Sequence, residues 1–173
     1  MDAIRPPHAP ETDPEADPPG SLDDAADARI EYADFSNQRF LGSSIRRTEL
    51  HLCRLTGIEV AEAVWNDVVL TDCRADFAGF RHAKLTRVVF RDCRLEEADF
   101  AAAGLTDVVF ERCELRRASF AGCRLERVEL SRCKLTELTG VASLRGARMP
   151  WGDLLENAPL FAQGLGIEVI EDE

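Results

Sequence analysis

The chain has 173 residues, enough for one domain, and a formal net charge of −11. No apolar run approaches the length of a membrane span and no secretory signal pattern opens the chain, so the expectation is a soluble, cytoplasmic protein without a membrane partner. The charge is uneven: residues 1–32 carry net −7, residues 33–137 net 0 and residues 138–173 net −4, so the acidity belongs to the ends. That balance gives no basic patch for phosphates, and no direct nucleic-acid binding is expected.

Residues 1–28 hold six of the eight prolines and a run of acids, with almost nothing bulky and apolar. This composition predicts a disordered acidic tail, either solubilising or an arm for a basic surface. From Ala33 a register of five begins and runs without a break to Glu137, 21 pentads in all. The third residue of each of the last ten pentads, from Phe90 to Leu135, is Leu or Phe, and the first is Ala, Val or Cys. A period of five fits neither a helix nor a strand alternation. It fits a coil of four short sides in which residues twenty apart stack. Sorting by twenty supports this: Cys53, Cys73, Cys93, Cys113 and Cys133 share one column, and Phe80, Phe100 and Phe120 another. Such self-similarity marks a solenoid whose units bury their apolar faces against one another.

The pattern A/C/V-x-L/F-x-x resembles that of the pentapeptide-repeat proteins, over about 105 of the 173 residues. The resemblance implies an all-β solenoid, a right-handed quadrilateral β-helix, here spanning 29–149, in which the 21 pentads make a rod about 25 Å long at the usual strand spacing. MfpA/Qnr-like members of that family dimerise through C-terminal helices, resemble duplex DNA and bind DNA gyrase. The resemblance thus raises gyrase as a partner and a homodimer as the assembly.

Several residues stand out along the register. Trp65 is oversized for a centre and Ala75 undersized, so Ala75–Gly79 is expected to be distorted or to leave Phe77 on the surface. One outward column reads Glu49, Val69, Val89, Val109, Glu129. Three stacked valines, with Phe77, form the candidate partner surface. An outer corner alternates as Arg47, Asp67, Arg87, Asp107, Arg127, which suits a structural charge ladder. Glu62, Asp67, Asp72 and Asp92 make the most acidic candidate face for a gyrase saddle. The cysteine column is expected to hold reduced, buried thiols, since neither disulfide geometry nor tetrahedral zinc suits a row.

After Leu135 the spacing fails. Residues 150–173 predict two short helices, Trp151–Asn157 and Pro159–Gln163, then a strand at Ile167–Ile170. Trp151, Leu154, Leu155, Leu160 and Phe161 would cap the open end of the solenoid or join two copies. His8, His51 and His82 are scattered, and no nucleophile–base pair or phosphate loop is implied. No catalytic residue, metal or cofactor is expected. The reading is a non-catalytic protein-interaction module, with a DNA mimic acting on gyrase as the alternative.

Overall fold

The computed structural model describes residues 3–11 and 21–170. The fold is a right-handed quadrilateral β-helix of about five turns with two short helices at its C-terminal end. One pair of adjacent sides is continuous strand in the early coils: β1 (Ala26–Glu31), β2 (Ser44–His51), β3 (Val64–Thr71) and β4 (Lys84–Arg91). In the later coils that ribbon is interrupted, giving β5 (Gly104–Thr106), β6 (Val109–Glu111), β7 (Arg124–Glu126) and β8 (Glu129–Ser131). All pairings among β1–β8 are parallel with an offset of twenty, as in Ser44 to Val64, Lys84, Gly104 and Arg124. The other two sides are joined by single bridges, one running Asp34–Arg54–Arg74–Arg94–Glu114–Lys134 and the other Arg39–Glu59–Gly79–Asp99–Ser119–Thr139.

The period of five has a backbone cause. The fifth residue of every pentad from Ala33 to Glu137 is left-handed, with φ between 44° at Arg47 and 71° at Gly122. At two of the four corners, the N–H of the next pentad's first residue donates to the carbonyl of the centre. Examples are Ile58 to Leu55 at 3.1 Å, Ala98 to Leu95 at 3.1 Å and Ala103 to Phe100 at 2.9 Å. These are β-turns with φ > 0 at the third residue, and each turns the chain through one corner. The centre then points inward, and the next pentad's first residue fits beside it only if small.

The centres are buried from Phe35 to Leu135 except Leu125, which is partly buried. Phe80, Phe100 and Phe120 stack at 4.8 and 5.0 Å between centroids, Phe90 and Phe110 at 5.0 Å, and the two ladders meet edge to face. Trp65 joins edge-on against Phe80 at 5.4 Å. The expected distortion at Ala75–Gly79 is absent. Ala75 is ten residues from Trp65, hence on the opposite side of the same coil, and its small size makes room for the indole. Coil-to-coil bonds continue there, Ala75 N–H to Arg94 O at 2.7 Å and Gly79 N–H to Ile58 O at 2.8 Å. The cysteines are free thiols; those at 53, 73, 93 and 113 are buried and Cys133 partly so. Each stacked Sγ faces a main-chain carbonyl of the coil below, as Cys113 does Phe90 O at 3.3 Å. On the opposite side, burial pushes the Cys123 thiol up to about 11.

Both ends depart from expectation. The rod starts before residue 29: Ala25 and Ile30 are buried centres, Asp27 and Tyr32 are left-handed corners, and Leu22 is fully buried. Two more pentads, from Asp23, therefore precede the 21, and the notion of disorder across 1–28 fails for 21–28 because Leu22 and Ile30 have a core to enter. Residues 3–11 lie along the rod; residues 12–20 are outside the described residues. At the other end, Val141 and Leu144 of a short 3-10 helix, Val141–Leu144, fill the last coil. Helices α1 (Trp151–Glu156) and α2 (Ala158–Gly164) follow. Ile167–Ile170 is irregular and exposed rather than a strand. The strand edge it would need is already taken by Arg148, which bridges Glu129.

Candidate functional site

The side that carries the valines starts at the corner Asp27, Arg47, Asp67, Arg87, Asp107, Arg127. Each Arg grips the Asp one coil below with two bonds, Arg87 to Asp67 at 2.6 and 2.8 Å and Arg127 to Asp107 at 2.6 and 2.8 Å. The Asp carboxylates have a further donor. The N-terminal segment runs along this corner from later coils to earlier ones. Its main-chain N–H groups donate to them in turn: Arg5 to Asp107 at 3.0 Å, His8 to Asp67 at 2.9 Å and Glu11 to Asp27 at 3.3 Å. Three residues of the segment thus span two coils. Ile4, Pro7 and Pro10 are half-buried while their neighbours are exposed. Ile4 and Pro7, with Arg5 and Pro6, line a groove of about 540 Å³ with Val69, Val89 and Val109.

The valine column is therefore not an open stripe. Val89 is buried, Val69 and Val109 are half-buried, and the chain's own N-terminus lies over them. Phe77 is exposed, but it stands at another corner, beyond the Asp72 corner, and does not join the valines. Nor do the four acids make one face. Glu62, Asp67 and Asp72 occupy three successive left-handed corners of one coil, and Asp92 stacks above Asp72. Asp67 is spent on Arg87 and Asp92 on Arg112. Pairing at an offset of twenty is general: Arg29–Glu49, Arg91–Glu111, Glu96–Arg116, Glu97–Arg117 and Glu114–Lys134 repeat it. The neutral charge of the repeats is a coil-to-coil ladder.

The pairing sets the titration of the corner. The Arg87 guanidinium, helped by the His8 N–H, holds the Asp67 carboxyl at about 2, and Arg127 with the Arg5 N–H holds Asp107 at about 2. A carboxyl depressed in the folded state stabilises the fold above its unfolded value near 4, and loses that contribution as pH falls through the folded value. Asp67→Asn is expected to cost about 1–3 kcal/mol at pH 7, the range for bonds to charged groups. The gap between wild type and variant should narrow between about pH 4 and pH 2. Urea titrations across that range check it, and a gap independent of pH would contradict the pairing.

At the C-terminal end, Leu160 and Phe161 pack on the core, whereas Trp151 is 70% exposed and Leu155 55%. Leu154 is also exposed, at the edge of an open apolar trough of about 610 Å³ that includes Val141, Leu144, Met149, Phe161 and Leu165. Among the described residues no group of His, Cys, Asp and Glu is arranged for a metal, and no helix is long and apolar enough to cross a membrane. The seating of Ile4, Pro7 and Pro10 was missed in the sequence. The signal was there, an apolar residue every third position against a column of aspartates every forty.

A family model described as pentapeptide repeat region matches residues 43–120 and 78–139, together more than half of the chain. No curated protein matches. Among solved structures the chain is similar to a pentapeptide repeat protein of the Arabidopsis thaliana thylakoid lumen, with 20% identity and a TM-score of 0.53, over 57% of this chain and 69% of that one. It is also similar to QnrB1, a plasmid-mediated fluoroquinolone resistance protein, with 22% identity and a TM-score of 0.46, over 87% and 95% of the two chains. A third is HetL, from the cyanobacterium Nostoc, a pentapeptide repeat protein involved in heterocyst differentiation regulation. Its identity is 18% and its TM-score 0.41, over 72% of this chain and 65% of that one. The likeness to the Arabidopsis protein is one of fold.

Proposed function

We propose that this chain, which belongs to the pentapeptide-repeat family, is a non-catalytic protein-binding rod. The observation that carries this reading is the filled interior: stacked Phe rings and buried aliphatic centres occupy it, so a ligand must be met on the outside. Its charges are largely matched from coil to coil, which leaves apolar features as the sources of affinity, above all the valine side. The test is to compare partner retention by wild type and by Val89→Arg, an outward substitution that leaves the core intact. A partner held by wild type and lost by the variant is the expected result. Equal retention by both would sink the assignment to this side.

A second reading, imitation of duplex DNA toward DNA gyrase, draws on the acidic ends, net −7 over residues 1–32 and −4 over 138–173. Complementarity to a basic saddle needs a continuous negative field, and the neutral ladder of the rod weakens that field. Supercoiling by purified gyrase measures it directly. Inhibition that weakens with salt would favour the mimic, and none at tens of micromolar would remove it. Homodimerisation through Trp151, Leu155 and the adjoining trough belongs to either reading. Light scattering is expected to give a dimer for wild type and a monomer for Trp151→Glu.

A further inference from the structure

We infer that the valine side is a reading groove for a proline-rich segment of a partner protein in the polyproline-II conformation, and that residues 4–11 occupy it in cis. The inference rests on the protein-binding role proposed above and names the class of ligand.

The match is metrical. A polyproline-II helix has three residues per turn and rises about 3.1 Å per residue, so positions i and i+3 share a face about 9.3 Å apart. Two coils of the rod advance about 9.6 Å. An extended strand would put i and i+3 on opposite faces, which the burial of Ile4, Pro7 and Pro10 contradicts. The rod offers its acceptors at the same step, because Asp27, Asp67 and Asp107 are separated by arginines. The ladder alone would be satisfied by alternate charges. Each Arg holds both oxygens of its Asp, and Oδ1 takes a second bond from a main-chain N–H of the segment, once every second coil. Prolines 6, 7 and 10 fix the segment's φ and restrict the residues before them, so little entropy is lost on docking. Recognition runs through the main chain and through an apolar residue at every third position, with local additions from Arg5, which lines the groove, and from His8, whose Nδ1 lies 3.1 Å from Asp67 Oδ1. The pattern Φ-x-x-Φ-x-x-Φ with N–H groups following each Φ is therefore the specificity, and another protein can carry it. Only nine residues join Glu11 to Ser21, so the segment meets its own groove at high effective concentration. A second copy brings the same peptide without that advantage. The ligand that displaces the cis segment must come from a different protein with a better-fitting sequence.

The test uses a fluorescent peptide of residues 3–11 and full-length chains. Ile4→Asp with Pro7→Asp vacates the groove without touching the core. Peptide binding to this chain should be at least about tenfold tighter than to wild type, and addition of Val89→Arg should abolish it. A peptide with proline at positions 5 and 8 has more polyproline-II character but lacks two donors, and should bind at least about tenfold more weakly, a loss of the order expected for bonds to charged acceptors. In wild type, the amides of Arg5, His8 and Glu11 should be protected from hydrogen exchange. Free-chain exchange at those amides, or equal binding of the two peptides, would overturn the inference. So would a wild-type dimer that Pro7→Asp abolishes, since the segment would then be traded between copies. If the peptide fails yet Val89→Arg still releases a partner, the ligand class falls and the protein-binding role stands.

Discussion

Replacing Phe100 with alanine is expected to cost about 3–5 kcal/mol, the range for truncating a buried aromatic ring. The ring lies between Phe80 at 4.8 Å and Phe120 at 5.0 Å and meets Phe90 and Phe110 edge to face at 6.1 and 5.6 Å. Removing it breaks its own ladder at the centre and takes an edge-to-face partner from both rings of the other. The void cannot close easily, because the surrounding backbone is tied coil to coil, as by Phe100 N–H to Ser119 O at 2.8 Å and Gly104 N–H to Ala83 O at 2.9 Å. Arg112→Ala is the comparison. That side chain pairs with Asp92 on the exposed surface, and its loss should cost under about 1 kcal/mol. Denaturant titration of both variants gives the answer. Equal losses would mean that the centres do not carry the core.

Gly140→Ala is expected to destabilise by about 3 kcal/mol or more, from left-handed strain and overpacking together. Gly140 has φ 74°, and a Cβ there would lie 2.3 Å from the Ala121 nitrogen and 2.6 Å from its Cα, both main chain. The last coil approaches its neighbour at this point, before Val141 and Leu144 turn in to close the end. Gly146, with φ 87° and open space around it, separates the two causes. Gly146→Ala carries the conformational cost alone, about 1 kcal/mol. Thermal melts of the pair check the difference, and equal shifts would show that the contact with Ala121 is relaxed at no cost.

The rod could be read from Ala33 to Glu137 because each pentad repeats one turn geometry, and a repeat announces itself in the sequence. The two earlier pentads escaped because Ala25 is a small centre and the surrounding acids resemble a tail. Ile30 behind Ala28 carried the pattern, but a single unit is not a period. The φ > 0 corners are invisible by composition: only three of the 21 are glycine, and Phe77 is among the rest. The turn is imposed by stacking rather than by local preference. The dispersal of Glu62, Asp67 and Asp72 has the same origin, since acids five apart turn a corner each time and cannot share a face. The N-terminal segment lay furthest from view. Its contact depends on two periods, three in one stretch and forty in another, that meet only in space. Composition alone treated it as solvent-borne.

The alternation along the Asp27 corner also limits how such a molecule can lengthen over generations. Duplicating one coil is structurally whole, since twenty residues return the chain to the same side. At this corner it would set Asp on Asp or Arg on Arg, and like charges directly across neighbouring strands repel. Duplicating forty residues preserves every pair and adds one acceptor for three further residues at the N-terminus. The unit of architecture is one coil, but the unit of heritable growth is two.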